Sequence, residues 1–193
     1  HNFDYIDPKM SEHLWLYEGV TEYSAQHVQV KYDLYSVDDF LTDMRSKVMQ
    51  MEQYNVDIPY TEFSRNILEP KNEKKYGDVY AGGAVLAMCL DLTILKSTNG
   101  EKDLRTLADK YGPLQPFKDK ELFNEIETIT NPTVGDFLRE HIGGTTKLSL
   151  NEILSYAGLT YKEESVEQVI TAGKFQPGLN KDQQIIEQKT GAM

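Results

Sequence analysis

Apolar residues recur every three or four positions along most of this chain, and that spacing predicts a succession of helices. The first is expected after an irregular lead-in that turns at Asp7–Pro8, with Ser11 as its cap, and to run to about Tyr32. Wound at about 100° per residue, it carries Leu14, Trp15, Thr21, Glu22 and Ala25 on the side of Glu18. Leu16, Val20, Tyr23 and Val30 fall on the opposite side, so the pattern predicts a helix buried on two faces. Ser36 caps the second, with Asp39 in its first turn, and Val37, Phe40, Leu41, Met44, Val48 and Met51 form one stripe to about Tyr54. The methionines of that stripe read as packing. Residues 55–75 are polar and broken by Pro59 and Pro70. They read as a surface excursion beside a cleft, with one short helix over Glu62 to Leu68.

The most apolar helix follows, opening within Gly77–Leu86 and ending near Asn99–Gly100. Gly82 and Gly83 near its start each cost about 1 kcal/mol of helix stability against alanine. That cost makes sense where a neighbouring backbone or a ligand comes close. Shorter helices are expected over Lys102 to Tyr111 (Leu104, Leu107 and Ala108 inward, stopped by Gly112–Pro113), Asp119 to Ile129, Thr133 to Ile142, and Leu150 to Ala157. Asn131–Pro132 separates the middle pair, Gly143–Gly144 closes it, and Ser149 caps the last. From Leu159 to Phe175 the β-branched residues alternate loosely, which predicts one or two strands, and from Gln176 the chain turns polar. The pattern thus divides into a helical part, 1–158, and a strand-like segment with a tail or linker, 159–193; no internal repeat of solenoid length is present.

Length and charge narrow the function classes. With 193 residues the chain can bury a domain core, and its net charge of −11 argues against nucleic acid and anionic membrane surfaces as partners. Cys89 is the single cysteine, which excludes an internal disulfide. The longest apolar run, Val79 to Leu95, is interrupted by Asp91 and is shorter than the ~20 residues a bilayer requires, so it reads as a core helix. The sequence opens on His1, so its natural start and any signal peptide are expected upstream, leaving a periplasmic and a cytoplasmic location both open.

Glu18 carries the first chemical signal. A carboxylate in the middle of an apolar helix needs a partner, and Glu22 one turn on repels it. A cation is expected opposite: a lysine or arginine from another helix, or a metal ion. Asp91 reads as a structural acid paired with a lysine or arginine. Tyr80, on spacing alone, reads as a core tyrosine with its hydroxyl bonded to backbone.

The stretch Trp15-Leu16-Tyr17-Glu18-Gly19 resembles the third-ligand helix of the gluzincin metallopeptidases, and the longer Ser11–Tyr23 resembles the glycyl-aminopeptidase family of that clan. Tyr80-Ala81-Gly82-Gly83 matches the family's Tyr-x-x-Gly at Tyr80 and Gly83, where many relatives have lysine in place of Gly82. The resemblance implies a mainly α fold, the helical half of a thermolysin-like catalytic domain. It also implies zinc as cofactor, Glu18 as the third zinc ligand, and Tyr80 as the donor that stabilises the oxyanion during peptide hydrolysis. Tyr76, one turn earlier, is the weaker candidate for that role. The substrate implied is a peptide with a small N-terminal residue, and Glu22 is a guess for the acid that holds its amino group.

One departure is plain: the upstream His-Glu-x-x-His that supplies the other ligands is absent from this sequence. By helical arithmetic His13 and His27 point away from Glu18, and His1 and His141 lack ligand spacing. The expectation is a piece of a catalytic domain, inactive and weak in zinc binding by itself, whose partners are the missing N-terminal half and a downstream PDZ domain. Two alternatives stand beside it: a relative that keeps the scaffold and binds peptides or partners without cleaving them, and an unrelated helical interaction domain. The order and type of the two motifs argue against the last.

Overall fold

The computed structural model describes residue 6 and residues 8–112, 117–163 and 168–172. Its centre is α4 (Ala81–Ser97), in which every residue from Ala81 to Leu95 is buried. With no polar face of its own, this helix has to be covered all round. A π-helical turn (Trp15–Gly19), α1 (Val20–Lys31) and α2 (Val37–Tyr54) pack on it, as do α7 (Pro132–Phe137) and α8 (Leu150–Ser155). No single helix among the described residues is long and apolar enough to cross a membrane.

Helix α2 follows its sequence pattern closely. The Ser36 side chain accepts a hydrogen bond from the Asp39 amide, Val37, Phe40, Leu41, Met44 and Val48 are buried, and Asn55 ends the helix at a positive φ of 46°. The first helix departs from its pattern. Its opening is a π turn, which inserts a residue relative to α-helical winding, so wheel positions computed across it rotate out of phase. Leu14, Trp15 and Leu16 are therefore all buried together, while Thr21 and Ala25, assigned by the wheel to the side of Glu18, are exposed. Ser11 is not the cap it was expected to be: it accepts from the His13 amide at 3.1 Å in the turn before the helix, which opens from Leu14 with no side-chain cap.

Differences elsewhere are local. The polar excursion holds α3 (Tyr60–Arg65), which begins directly after Pro59, and a ten-residue 3-10 helix (Pro70–Val79) that starts on Pro70 instead of being broken by it. The central helix consequently begins at Ala81, the preceding residues being wound into the 3-10 segment. After α4, left-handed Asn99 and Gly100 turn the chain toward α5 (Arg105–Tyr111). There Leu104 and Leu107 are buried, but Ala108 is exposed. Helix α6 (Leu122–Ile129) is followed by α7, capped by the Asn131 side chain, and by a π turn (Leu138–Ile142). Ser149 makes no side-chain cap to α8, and Gly158, at a φ of 71°, ends that region. Strand β1 (Leu159–Glu163) then pairs antiparallel with β2 (Gln168–Ala172), Tyr161 opposite Ile170, which is the expected strand pair. The lead-in through Tyr5, Asp7, Pro113 and the tail from residue 173 lie outside the described residues.

Candidate functional site

Two glycines build the site. The π turn crosses the start of α4 with Gly19 lying against Gly83. A Cβ added to Gly19 would come within 2.5 Å of the Gly83 carbonyl oxygen and 2.6 Å of its Cα. A Cβ on Gly83 would meet the Gly19 Cα at 2.9 Å. Contact this close is possible only between residues without side chains. It sets Glu18, immediately before one glycine, beside Tyr80, three residues before the other.

Glu18 is half-buried and Tyr80 is 36 % exposed. The Tyr80 hydroxyl is pushed up to about 12 in pKa by removal from water, by its hydrogen bond to Tyr76, and by the charge and hydrogen bond of Glu18. The phenol is therefore protonated throughout the neutral range and is a hydrogen-bond donor. Tyr76 is 40 % exposed, with its ring centroid 6.2 Å from that of Tyr80. Tyr17 is 51 % exposed and stacks on Phe117. The structure thus brings together Glu18, Tyr80 and the weaker candidate Tyr76 at one surface. Tyr80 bonds side chains, where spacing alone suggested a core tyrosine bonded to backbone.

The cation expected opposite the two acids is divided between them. Lys47 Nζ lies 2.6 Å from Glu22 Oε1, so Glu22 is engaged in an ion pair with α2. Among the described residues Glu18 has no lysine or arginine partner, and its charge acts on the neighbouring Tyr80 phenol. Asp91 is structural, as expected, but its partners are not cationic side chains. It accepts from the Tyr23 hydroxyl at 2.7 Å and the Leu104 amide at 2.8 Å, joining α1 and the approach to α5 onto α4. Burial raises the pKa of this carboxyl.

The histidines are elsewhere. His13 is buried, its Nε2 2.8 Å from the Asp119 carbonyl oxygen and its Nδ1 accepting from Trp15 Nε1 at 3.2 Å. Burial lowers its pKa, so the ring is a neutral spacer between structural partners. His27 stacks on Tyr23, with ring centroids 5.4 Å apart and planes inclined by 7°, and His141 Nδ1 lies against the Thr146 carbonyl oxygen. Among the described residues no three His, Cys, Asp or Glu side chains are grouped to hold a metal ion. A catalytic zinc site takes three protein ligands and an open position. Among the described residues the donor set beside Tyr80 is one carboxylate, fewer than such a site takes.

Sequence reasoning missed the residues that hold this arrangement from outside the motifs. Asp119 accepts from the Ser11 hydroxyl and the Glu12 amide, both at 2.8 Å, and so anchors the start of the Glu18 helix across a sequence separation above one hundred. Glu12 pairs with Arg65 of α3. Asp78 and Tyr60 stand behind Tyr80, with the Tyr60 hydroxyl donating to Asp78 Oδ2 at 2.5 Å. Only Asp78 left a trace in the sequence, as an acid two residues ahead of the motif tyrosine.

Residues 1–85 match the family described as M61 glycyl aminopeptidase, a span that contains both Glu18 and Tyr80. Among solved structures, the chain is similar to the crystal structure of an aminopeptidase N family protein from Idiomarina loihiensis. The TM-score is 0.74 at 20 % identity, over 91 % of this chain. The chain spans 33 % of that protein's length. At this identity the likeness shows the shared fold, which is the mainly helical one read from the sequence. No curated protein matches the chain.

Proposed function

We propose, from the likeness of residues 1–85 to the glycyl aminopeptidase family, that the chain is the helical part of a zinc peptidase's catalytic domain. Glu18 provides one ligand to the metal, and Tyr80 hydrogen-bonds the oxygen that becomes negative as the peptide carbonyl is attacked. When bound, zinc activates water and polarises the carbonyl. The remaining ligands come from polypeptide outside this sequence, and the substrate class is a peptide with a small N-terminal residue. Glu22 is not part of this reading, because Lys47 already occupies it.

The observation that carries the proposal is the Gly19–Gly83 contact, which brings Glu18 close enough to Tyr80 for its charge to raise the phenol's pKa. A phenol with its pKa near 12 keeps its proton at neutral pH. It can donate to an oxyanion without being consumed as an acid. Its backbone is fixed at the joint between the 3-10 helix and the buried α4, so only the side chain has to move to do so.

The test uses the full-length protein. Glu18→Gln is expected to abolish retention of zinc measured by elemental analysis. Tyr80→Phe is expected to retain zinc and lower turnover on an aminoacyl substrate by about 10²–10³. A fully active Tyr80→Phe variant overturns the donor assignment, and a Glu18→Gln variant with unchanged zinc content overturns the ligand assignment. The chain by itself, titrated calorimetrically with zinc at neutral pH, is expected to give no tight stoichiometric binding; a tight one-to-one isotherm contradicts the single-ligand reading.

A further inference from the structure

Asp78 has no exposed surface, yet it lies two residues from Tyr80, which is 36 % exposed. A carboxylate so placed is costly unless it is held by donors. Tyr60 supplies one through its hydroxyl, 2.5 Å from Oδ2. Among the described residues Oδ1 has no hydrogen-bond partner, and the Gly82 amide lies near enough to oppose the rise in the carboxyl's pKa. Gly82 has to be glycine for this to exist. A Cβ there would lie 2.6 Å and 2.7 Å from the two carboxylate oxygens, and closer still to the Tyr60 hydroxyl. The aspartate and the glycine are two halves of one device.

Its location says what it does. The axis bends by 44° where the 3-10 helix ends and α4 begins, and Tyr80 is the residue at the joint, with φ −88° and ψ −57°. The reach from Asp78 to Gly82 spans that joint on the inside. On the outside the Tyr80 phenol meets Glu18, whose own place is set by the Gly19–Gly83 contact. We propose that Asp78, held by Tyr60 and accommodated by Gly82, is the positioning residue for Tyr80, clamping the bend so that the phenol stays beside Glu18 where the oxyanion would form. This rests on Tyr80 being the hydrogen-bond donor proposed above.

Two variants open the clamp from different sides. In Asp78→Asn the Tyr60 hydroxyl keeps an oxygen to donate to, but the amide nitrogen then faces the Gly82 N–H, donor against donor. In Tyr60→Phe the carboxylate stays and loses its strongest partner. In the full-length enzyme each is expected to lower kcat by between about tenfold and 10²-fold, the range a misplaced group of this kind commands, with KM within about twofold. Combined with Tyr80→Phe, Asp78→Asn is expected to lower kcat no further.

A second reading needs no activity. With tyrosine labelled at Cζ in this chain, and the Tyr80 signal assigned through Tyr80→Phe, the Tyr80 resonance at neutral pH is expected to shift when the clamp is opened, while the tyrosines away from the joint keep theirs. Losses that multiply in the double variant, or a Tyr80 resonance unchanged in both single variants, overturn the proposal. If Tyr80→Phe proves fully active, the donor role fails, and the resonance alone decides whether Asp78 holds Tyr80. Should Asp78→Asn not fold, Tyr60→Phe carries both measurements.

Discussion

Adding one methyl group at the helix crossing is the most direct test of how the site is held. Gly19→Ala places a Cβ among three backbone atoms of Gly83, with the carbonyl oxygen at 2.5 Å and the Cα at 2.6 Å. Carbon atoms pack at about 3.5–4.0 Å, so the two segments must part by about 1 Å, and backbone has no rotamer by which to yield. Overpacking of this kind costs about 1–3 kcal/mol and at a backbone contact belongs at the top of that range or above it. Against it stands the helix preference of alanine over glycine, about 1 kcal/mol. The expected net loss is about 2 kcal/mol. Gly83→Ala, whose Cβ meets the Gly19 Cα at 2.9 Å, needs about half the displacement, so its clash and its helix gain should nearly cancel, for a net of about 0–1 kcal/mol. Urea unfolding of this chain followed by far-ultraviolet circular dichroism gives both values, with an unchanged m-value marking a stability effect. The same displacement separates Glu18 from Tyr80, so the Tyr80 phenol should titrate lower in Gly19→Ala than in the parent chain. A neutral or stabilising Gly19→Ala, or a loss in Gly83→Ala larger than in Gly19→Ala, refutes the close-contact argument.

Other expectations follow from the buried acids. Burial raises Asp78 from the usual carboxylate range to about 6, against the opposing hydrogen bonds of Tyr60 and Gly82 and the charge of Lys75. The folded chain thus holds this proton more tightly than the unfolded one. The contribution to stability is full below the ordinary carboxylate pKa, falls as pH rises through about 6, and is gone above; the span is about 3 kcal/mol. Unfolding measured between pH 4 and 7.5 should show that slope in the parent chain and lose that share of it in Asp78→Asn; identical slopes in the two chains contradict the assignment. Asp91→Ala leaves the Tyr23 hydroxyl and the Leu104 amide without their acceptor, and should cost about 2–5 kcal/mol in the same assay, whereas a loss under about 0.5 kcal/mol means that water replaces the carboxylate. Lys47→Ala removes the part-buried pair with Glu22 and should cost about 1 kcal/mol, less at high salt.

The helices were legible where local chemistry decides them. Ser36 and Asp39 with a regular apolar stripe gave α2 to within a residue, because cap and period agree. The apolar run after Tyr80 gave the central helix, and the two glycines inside it were correctly read as places of close approach. What approaches each could not be read, since one meets Gly19 and the other meets Asp78 and Tyr60. The helical wheel failed across Trp15–Gly19 because a π turn changes the angle per residue, and no local propensity announces one. The partners of the acids were equally hidden. Asp119 reaches Ser11 and Glu12, and Tyr23 reaches Asp91, from far along the sequence, so they are products of the fold. Pairing acids only with lysine or arginine was right for Glu22 and too narrow for Asp91, where a phenol and a backbone amide suffice.

The tie between Glu18 and Tyr80 has a consequence for the proposed chemistry. A phenol has one proton to donate, and in this chain Tyr80 is engaged with the Glu18 carboxylate and the Tyr76 hydroxyl. To serve an oxyanion the hydroxyl must leave Glu18, and the half-buried carboxylate must then be satisfied from elsewhere. Among the described residues Glu18 makes no ion pair, and Lys47 is taken by Glu22. Under the proposed reading the chain alone is therefore held in a resting arrangement, its donor occupied by the acid meant for the metal. The clamp at Asp78 and the crossing at Gly19 keep both side chains in place in that state. Completing the site would then require new partners for Glu18, with the backbone that carries it and Tyr80 left where it is.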